Sequence, residues 1–388
     1  MSTADYGDVV ITCPVTEPYV RRSEHSATWF LGRVLARLIE ACGLAKAEID
    51  GVCLSSFTLA PDGPAPFVQH VGLVPRHLDF LPTGGACGVM ALRRAARAVQ
   101  CGDASVVACL AGDTANAGSF RGLLAGFSAF SRDYVYPYGA GGPNASFALL
   151  TEHYMRRFGA TREDFGRIAV AQRHNARDNI LALLRGPMTL DDYMAARPVC
   201  PPVHLLDCVM PCAGGDGFLV MERRRAEGLG LPYARLLSVI ERHNAFPDDP
   251  VQWRGGWAMD RDALWDQAGI GPAEIDMVQS YDDYPVIVML QLEDLGFCPK
   301  GEAAAFVRGH DLRWSGDFPL NTGGGQLSVG QAGAAGGYLG VVEALRQLMG
   351  QVPDRAVAGA RHALVSGFGM INYDRGLCTG AAILRAGA

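Results

Sequence analysis

No paired cysteine framework is visible in the 388-residue sequence: eleven cysteines are scattered from position 13 to position 378, an odd number without a repeating spacing. A disulfide-stapled secreted domain is thereby excluded, and reduced, mostly buried thiols are expected. The single cluster, Cys200, Cys208 and Cys212 beside His204, lacks the tight Cys-x-x-Cys pairs of a zinc knuckle, so no metal site is expected. An excess of basic charge is also missing, with 34 Lys and Arg against 40 Asp and Glu and a net charge of −6. Nucleic acid is therefore not an expected partner. Residues 1–8 show no basic segment followed by an apolar run, so no secretory signal is read and a cytoplasmic location is expected. The uncharged stretch 318–342 is broken by many glycines and by Asn321, Thr322, Gln326, Ser328 and Gln331, which excludes a membrane span.

What is present is a length and a 49% hydrophobic content sufficient for more than one core. Apolar runs at 9–12, 51–55, 105–110 and 146–150 read as strands, and 87–101 reads as a helix with one buried face that stops at Gly102. The second half repeats the theme: a strand at 277–280, a helix at 285–295, a glycine turn at 323–325, a helix near 337–349 and a strand at 363–366. In both halves a Gly-rich turn feeds a long helix that ends in Gly and leads to an apolar strand. We read two domains, 1–230 and 231–388, divided at Leu229-Gly-Leu-Pro232, with an excursion from about 117 to 206 in the first. Within the excursion a helix enters at Thr161, with Glu163 and Asp164 in its first turn.

Three segments carry a more specific message: Gly84-Gly-Ala-Cys-Gly88; Tyr281-Asp-Asp-Tyr284 leading to Leu292-Glu-Asp-Leu-Gly-Phe-Cys-Pro-Lys-Gly301; and Leu320-Asn-Thr-Gly-Gly-Gly-Gln-Leu-Ser-Val-Gly-Gln331. In order and spacing they resemble the sterol-carrier and lipid-transfer branch of the thiolase superfamily, from about residue 9 to residue 384. The resemblance implies an α/β fold, a five-layer αβαβα sandwich of two similar βα domains with a loop excursion over the site. It also implies coenzyme A thioesters as substrates, with coenzyme A part of the substrate rather than a separate cofactor. Gly85, Gly324, Gly325, Gly367 and Gly369 are then the glycines expected around that ligand.

Ordinary thiolases place a nucleophilic cysteine seventeen residues before the glycine that ends the following helix; here that count, back from Gly102, lands on Gly85. Cys87 is displaced by two. It is read either as a packed thiol lining the pocket or, in an acyltransferase alternative, as the nucleophile. The thiolase Gly-His pair reads Gly330-Gln331, and an amide donates hydrogen bonds but removes no proton at neutral pH. The second thiolase cysteine aligns with Val365 or Ser366. Without a nucleophile–base pair, a covalent Claisen route has no evident machinery.

The Tyr281-Asp282-Asp283-Tyr284 run resembles lipid-transfer-type aldolases, which cleave β-hydroxyacyl-CoA side chains with no acyl-enzyme. The leading reading is therefore retro-aldol cleavage of a β-hydroxyacyl-CoA in lipid or sterol side-chain metabolism. A noncatalytic acyl-CoA-binding subunit is a further alternative. Tyr281 is one candidate base, although nearby carboxylates would raise its pKa; Asp282 or Asp283 is the other. The aldolases show a second Tyr where this chain has Gln331. His204, His310 and His362 are read as structural. The resemblance also implies a homodimer, for which the 105–110 strand is nominated as the pairing edge, and a small OB-fold, zinc-ribbon acyl-CoA protein as partner.

Overall fold

Alternating apolar positions dictate which way each strand faces, and in the computed structural model they sort the chain into layers. Residues 5–115, 122, 128–140 and 142–387 are described. The N-terminal half contributes strands β1 (Val9–Val20), β2 (Gly51–Ser55), β3 (His77–Phe80), β4 (Val106–Asp113) and β5 (Ala213–Glu222). Helix α1 (Ala27–Cys42) covers one face of these strands, and α2 (Cys87–Cys101) covers the other. Along β4, Val106, Ala108 and Leu110 pack in one core with α1, whereas Val107, Cys109 and Ala111 pack in another with α2. A period of two thus feeds two separate layers.

Between β4 and β5 runs the excursion, with α3 (Gly142–Phe158) and α4 (Arg162–Ala176). The Asp164 carboxylate accepts from Thr161 N–H at 2.8 Å and from Arg308 at 2.6 Å, so one side chain caps α4 and anchors it to the other half. The strand expected at 146–150 is instead part of α3. Its buried residues Phe147, Leu150, Thr151 and Tyr154 recur at helical spacing, which a five-residue window hid. Parts of the excursion, residues 116–121, 123–127 and 141, lie outside the described residues.

The C-terminal half supplies β6 (Tyr233–His243), α5 (Trp257–Ala268), β7 (Met277–Gln279), α6 (Pro285–Asp294), α7 (Gly325–Val329), α8 (Gly336–Leu348), β8 (His362–Asn372) and β9 (Arg375–Ala386). These nine strands form one sheet in the order β3-β2-β4-β5-β1-β6-β9-β8-β7, closed between the halves by antiparallel pairing of Val10–Thr12 with Tyr233–Arg235, and a separate two-stranded ladder, Pro198–Cys200 with Val203–His204, lies in the excursion. The duplication read from the sequence is plain here. The parallel pair β2–β4 followed by antiparallel β5 matches parallel β7–β8 followed by antiparallel β9. A parallel bridge from Val278 to Leu320 stands where the first half has β3.

Helices α2 and α8 form the central layer. Both belong to the core that also takes the inner faces of the two half-sheets, while α1 lies outside one half-sheet and α5 and α6 lie outside the other. This is the expected five-layer sandwich. Excursion residues Phe147, Phe165 and Ile168 share the outer core of the C-terminal half, so the insertion of one half roofs the other. The 105–110 strand lies between β2 and β5, and the exposed sheet edge is β3 instead. Its all-apolar sequence marks a strand buried on both faces rather than an edge. Among the described residues no helix is long and apolar enough to cross a membrane.

The central layer closes tightly at its N-terminal ends, where a Cβ on Gly88 would lie 2.1 Å from the Gly337 carbonyl oxygen. Since backbone cannot yield as a side chain can, Gly88→Ala is expected to cost about 1–3 kcal/mol. Thermal unfolding should show the loss, whereas Ala at exposed Gly122 should leave the melting temperature unchanged.

Candidate active site

The turns that open α2 and α8, at Gly84–Ala86 and Gly333–Ala335, meet at the mouth of the central layer and frame a cleft of about 330 Å³, within the range of roughly 300–1,000 Å³ typical of small-molecule sites. Its walls include Gly85, Asp113, Phe147, Arg197, Tyr281, Asp283, Tyr284, Gln331, Phe368 and Gly369. Most of the lining is apolar, and the polar groups converge from both halves.

Tyr281 follows the end of β7 and is gripped by its backbone. Gln291 of α6 accepts from Tyr281 N–H at 3.2 Å and donates to its carbonyl at 2.7 Å, and Ser366 of β8 in turn donates to Gln291 at 2.7 Å. Ser366, one of the two positions aligned with the second thiolase cysteine, is therefore a strut for the Tyr281 backbone. The phenol ring lies over Gly85, where a Cβ would come within 2.0 Å of ring atom Cζ and 2.4 Å of the Phe368 carbonyl oxygen. Gly85 is the position reached by counting seventeen residues back from Gly102, and the space a side chain there would take is filled by Tyr281.

The Tyr281 hydroxyl accepts a hydrogen bond from Gln331 Nε2 at 3.0 Å. Its own proton remains available to a ligand. Burial, and then the charge of Asp283, push its pKa well above the usual phenol value, so Tyr281 stays protonated and acts as a donor. Gln331 is itself held by the excursion, its N–H donating to the Met210 carbonyl at 2.9 Å and its carbonyl accepting from Cys212 N–H at 3.0 Å.

The adjacent carboxylates part company. Asp282 turns behind the cleft wall and accepts from the N–H groups of Gln326 and Leu327, at 2.9 and 3.2 Å, at the start of α7; burial pushes it up to about 7. A Cβ on Gly325 would lie 2.1 Å from the Asp282 carboxylate, so this glycine serves the clamp. Asp283 faces the cleft, and its Oδ1 is buried with no hydrogen-bond partner. Burial first, and the charge of Asp282 second, raise its pKa well above the carboxylate range.

Cys87 begins α2, where the helix dipole favours a thiolate by about 0.3–1 kcal/mol. Desolvation wins, pushing the thiol up to about 12, and Sγ donates to the Ala334 carbonyl at 3.2 Å. Fully buried, Cys87 is a packed thiol, but it is not among the cleft-lining residues. Gly324 and Gly367 likewise lie outside the cleft: a Cβ would meet Ala176 at 2.5 Å and the Gly85 carbonyl oxygen at 2.7 Å, respectively, which makes both of them close-packing positions. Gly369 lines the cleft beside Gly85.

Two features were missed. Tyr284, which carries no role in the reading above, stacks on Phe147 at 3.9 Å and donates to Asn144 Oδ1 in the cleft. Asp113 ends β4 at the cleft wall, and a strand-terminal acid ahead of a loop was the available signal. Its oxygens are consumed, accepting from Ser56 Oγ (2.8 Å), Phe57 N–H (2.9 Å), Thr58 N–H (2.6 Å) and Ala334 N–H (2.7 Å). Asp113 thus ties the halves together, and Asp283 is the cleft carboxylate with an unpartnered oxygen.

Residues 260–378 match the family described as Thiolase C-terminal domain-like. A steroid side-chain-cleaving aldolase of Thermomonospora curvata is 32% identical over 337 residues, covering 82% of this chain and 84% of that one. The 17-hydroxy-3-oxo-4-pregnene-20-carboxyl-CoA lyase of Mycobacterium tuberculosis is 30% identical, covering 86% and 89%. The chain belongs to the thiolase superfamily, in its lipid-transfer-type aldolase branch. A solved Ltp2–ChsH2(DUF35) aldolase superposes with a TM-score of 0.82 at 26% identity, covering 98% of both chains.

Because ring and Cβ compete for one volume, Gly85→Ala should displace the Tyr281 phenol and lower acyl-CoA turnover at least roughly tenfold, the scale of losing a positioned acid–base group. Far-ultraviolet circular dichroism should remain that of the parent protein.

Proposed function

We propose that this chain cleaves a β-hydroxyacyl-CoA by a retro-aldol reaction that proceeds without a covalent acyl-enzyme. The observation that carries the reading is the pairing, in one cleft, of a protonated Tyr281 seated over Gly85 with an Asp283 whose buried Oδ1 has no hydrogen-bond partner. The ionised Asp283 removes the proton of the β-hydroxyl. As that oxygen forms a ketone, the Cα–Cβ bond breaks and its electron pair enters the thioester as an enolate. Tyr281 O–H, oriented by Gln331, donates to the enolate oxygen as its charge develops. The proton held by Asp283 then returns to Cα, giving a ketone and a shortened acyl-CoA, with no net change of oxidation state. An apolar wall that includes Phe57, Phe147, Phe368 and Ile371 suits a bulky alicyclic hydroxyacyl group, in keeping with the steroid substrates named for the two relatives.

A buried base with a raised pKa is protonated, and idle, at acid pH, so kcat/KM should rise with pH through a limb lying above the ordinary carboxylate range. Asp283→Asn is expected to abolish that limb and lower turnover by roughly 10²–10⁴-fold, and Tyr281→Phe to cost at least about tenfold, while Cys87→Ala retains substantial activity. Steady-state kinetics on a tertiary β-hydroxyacyl-CoA measures all three. Full activity in Asp283→Asn would remove the base from the scheme.

We further propose that the enzyme works as a homodimer completed by a small, separately encoded OB-fold, zinc-ribbon acyl-CoA protein. The solved Ltp2–ChsH2(DUF35) aldolase names a second component beside Ltp2, which supports a second polypeptide. Exposed Phe130, Tyr134 and Tyr138, close in sequence to cleft residues Gly142 and Asn144, offer the partner an aromatic face. Purification from the native host, with mass spectrometry and light scattering, should show two copies of this chain with a second, smaller polypeptide. Full activity in a lone polypeptide would contradict the proposed partner.

A further inference from the structure

A second group of reactive side chains lies at the free edge of the sheet, away from the cleft lining. Cys53 on β2 pairs in register with Asp79 on β3, and His77 stands two residues earlier on the same face. His77 Nε2 lies 3.8 Å from Cys53 Sγ and 3.3 Å from Asp79 Oδ2, and the three donor atoms all fall within 4.8 Å of one another. The neighbouring arginines are engaged elsewhere: Arg76 pairs with Asp50 at 2.9 Å, and Arg94 grips both oxygens of Glu241 at 2.6 and 2.7 Å. Among the described residues, His77 is the only ion-pair partner of Asp79.

We propose that Cys53, His77 and Asp79 form a binding site for a zinc-type divalent ion that fastens edge strand β3 to β2, with a fourth position open to water. A tetrahedral ion with bonds of roughly 2.0–2.3 Å holds its ligands about 3.3–3.6 Å apart, so the nitrogen and oxygen already stand at the required separation, and the sulfur, 3.8 Å from the nitrogen and within 4.8 Å of the oxygen, must move inward by no more than about 1.3 Å. One thiolate and one carboxylate balance the double charge, and a thiolate with an imidazole selects zinc over magnesium or calcium. Cys53 closes the inner side, being fully buried, while the His77 and Asp79 side chains, 19% and 34% exposed, leave a path of entry. Hydrogen bonding, from Cys109 first and from His77 after the cost of burial, brings the Cys53 thiol down to about 7 and favours the ligating thiolate. A four-residue edge strand has few backbone bonds of its own, and a cross-strand ion adds what its length cannot.

The test is anaerobic titration of chelator-treated protein with Co2+. One ion per chain should bind, with a near-ultraviolet thiolate-to-metal absorption band, and added Zn2+ should displace it and raise the melting temperature. The half-exposed variants His77→Gln and Asp79→Asn should fold normally and bind at least roughly tenfold more weakly, and Cys53→Ser should lose the thiolate band. No binding, binding without that band, a band that persists in Cys53→Ser, or equal affinity in the His77 and Asp79 variants would each overturn the assignment.

Discussion

Two groups cannot fill the volume over Gly85, and that exclusion organises the site. A Cβ at this position would collide with the Tyr281 ring and with the Phe368 backbone, so the fold admits a phenol or a nucleophilic side chain there, but not both. With the phenol installed, the nearest cysteine is displaced two residues along the helix, desolvated and bonded to Ala334. Burial pushes the cleft-lining thiols Cys208 and Cys212 above the ordinary value, so in the proposed reaction the working groups are noncovalent: hydrogen-bond donors for an enolate and the Asp283 carboxylate for a proton.

Three buried acids near the cleft show how the same chemistry is assigned different work. Asp113 and Asp282 each accept several backbone N–H bonds and connect segments from different turns, Asp113 linking 56–58 to 334 and Asp282 linking the 281–284 run to α7. Asp283 alone keeps a buried oxygen without a donor. An unpaired buried carboxylate oxygen costs stability, and such a cost persists where function uses the group. The network around Asn321 and Thr322 completes the frame: Asn321 accepts from Ser280 N–H at 2.8 Å, and Thr322 donates to Glu343 at 2.7 Å. Two of the three segments that carry the resemblance, 281–301 and 320–331, are thus bonded to each other, Asp282 accepting from Gln326 and Leu327 N–H.

Much of this was legible in the residues. The helix at 87–101 has the bounds read from its apolar spacing, and the repeated turn–helix–strand theme matches the duplicated strand order. Strand β5 escaped notice because it opens Ala213-Gly-Gly-Asp-Gly, and glycines read as a turn. Here Gly215 and Gly217 are demanded by Val34 of α1, whose methyl carbons would stand 2.7 and 2.6 Å from any Cβ. At the site, Asp282 and Asp283 are equivalent in a string of letters. Only the path of the chain after β7 sends one behind the wall and the other into the cleft. Cys87 was read as a pocket-lining thiol because its helix was certain, but the depth of its burial depends on the Gly84–Ala86 turn and on residues near 334–337 from the far half.

In the proposed reaction, carbon–carbon bond cleavage passes through no acyl-enzyme. Rapid quenching during turnover of a β-hydroxyacyl-CoA, followed by intact-protein mass spectrometry, measures this directly. Ketone and shortened acyl-CoA should appear in equal amounts, with the protein at its unmodified mass at every time point. An acyl adduct that forms and decays at the rate of turnover, mapped to Cys87, would contradict it.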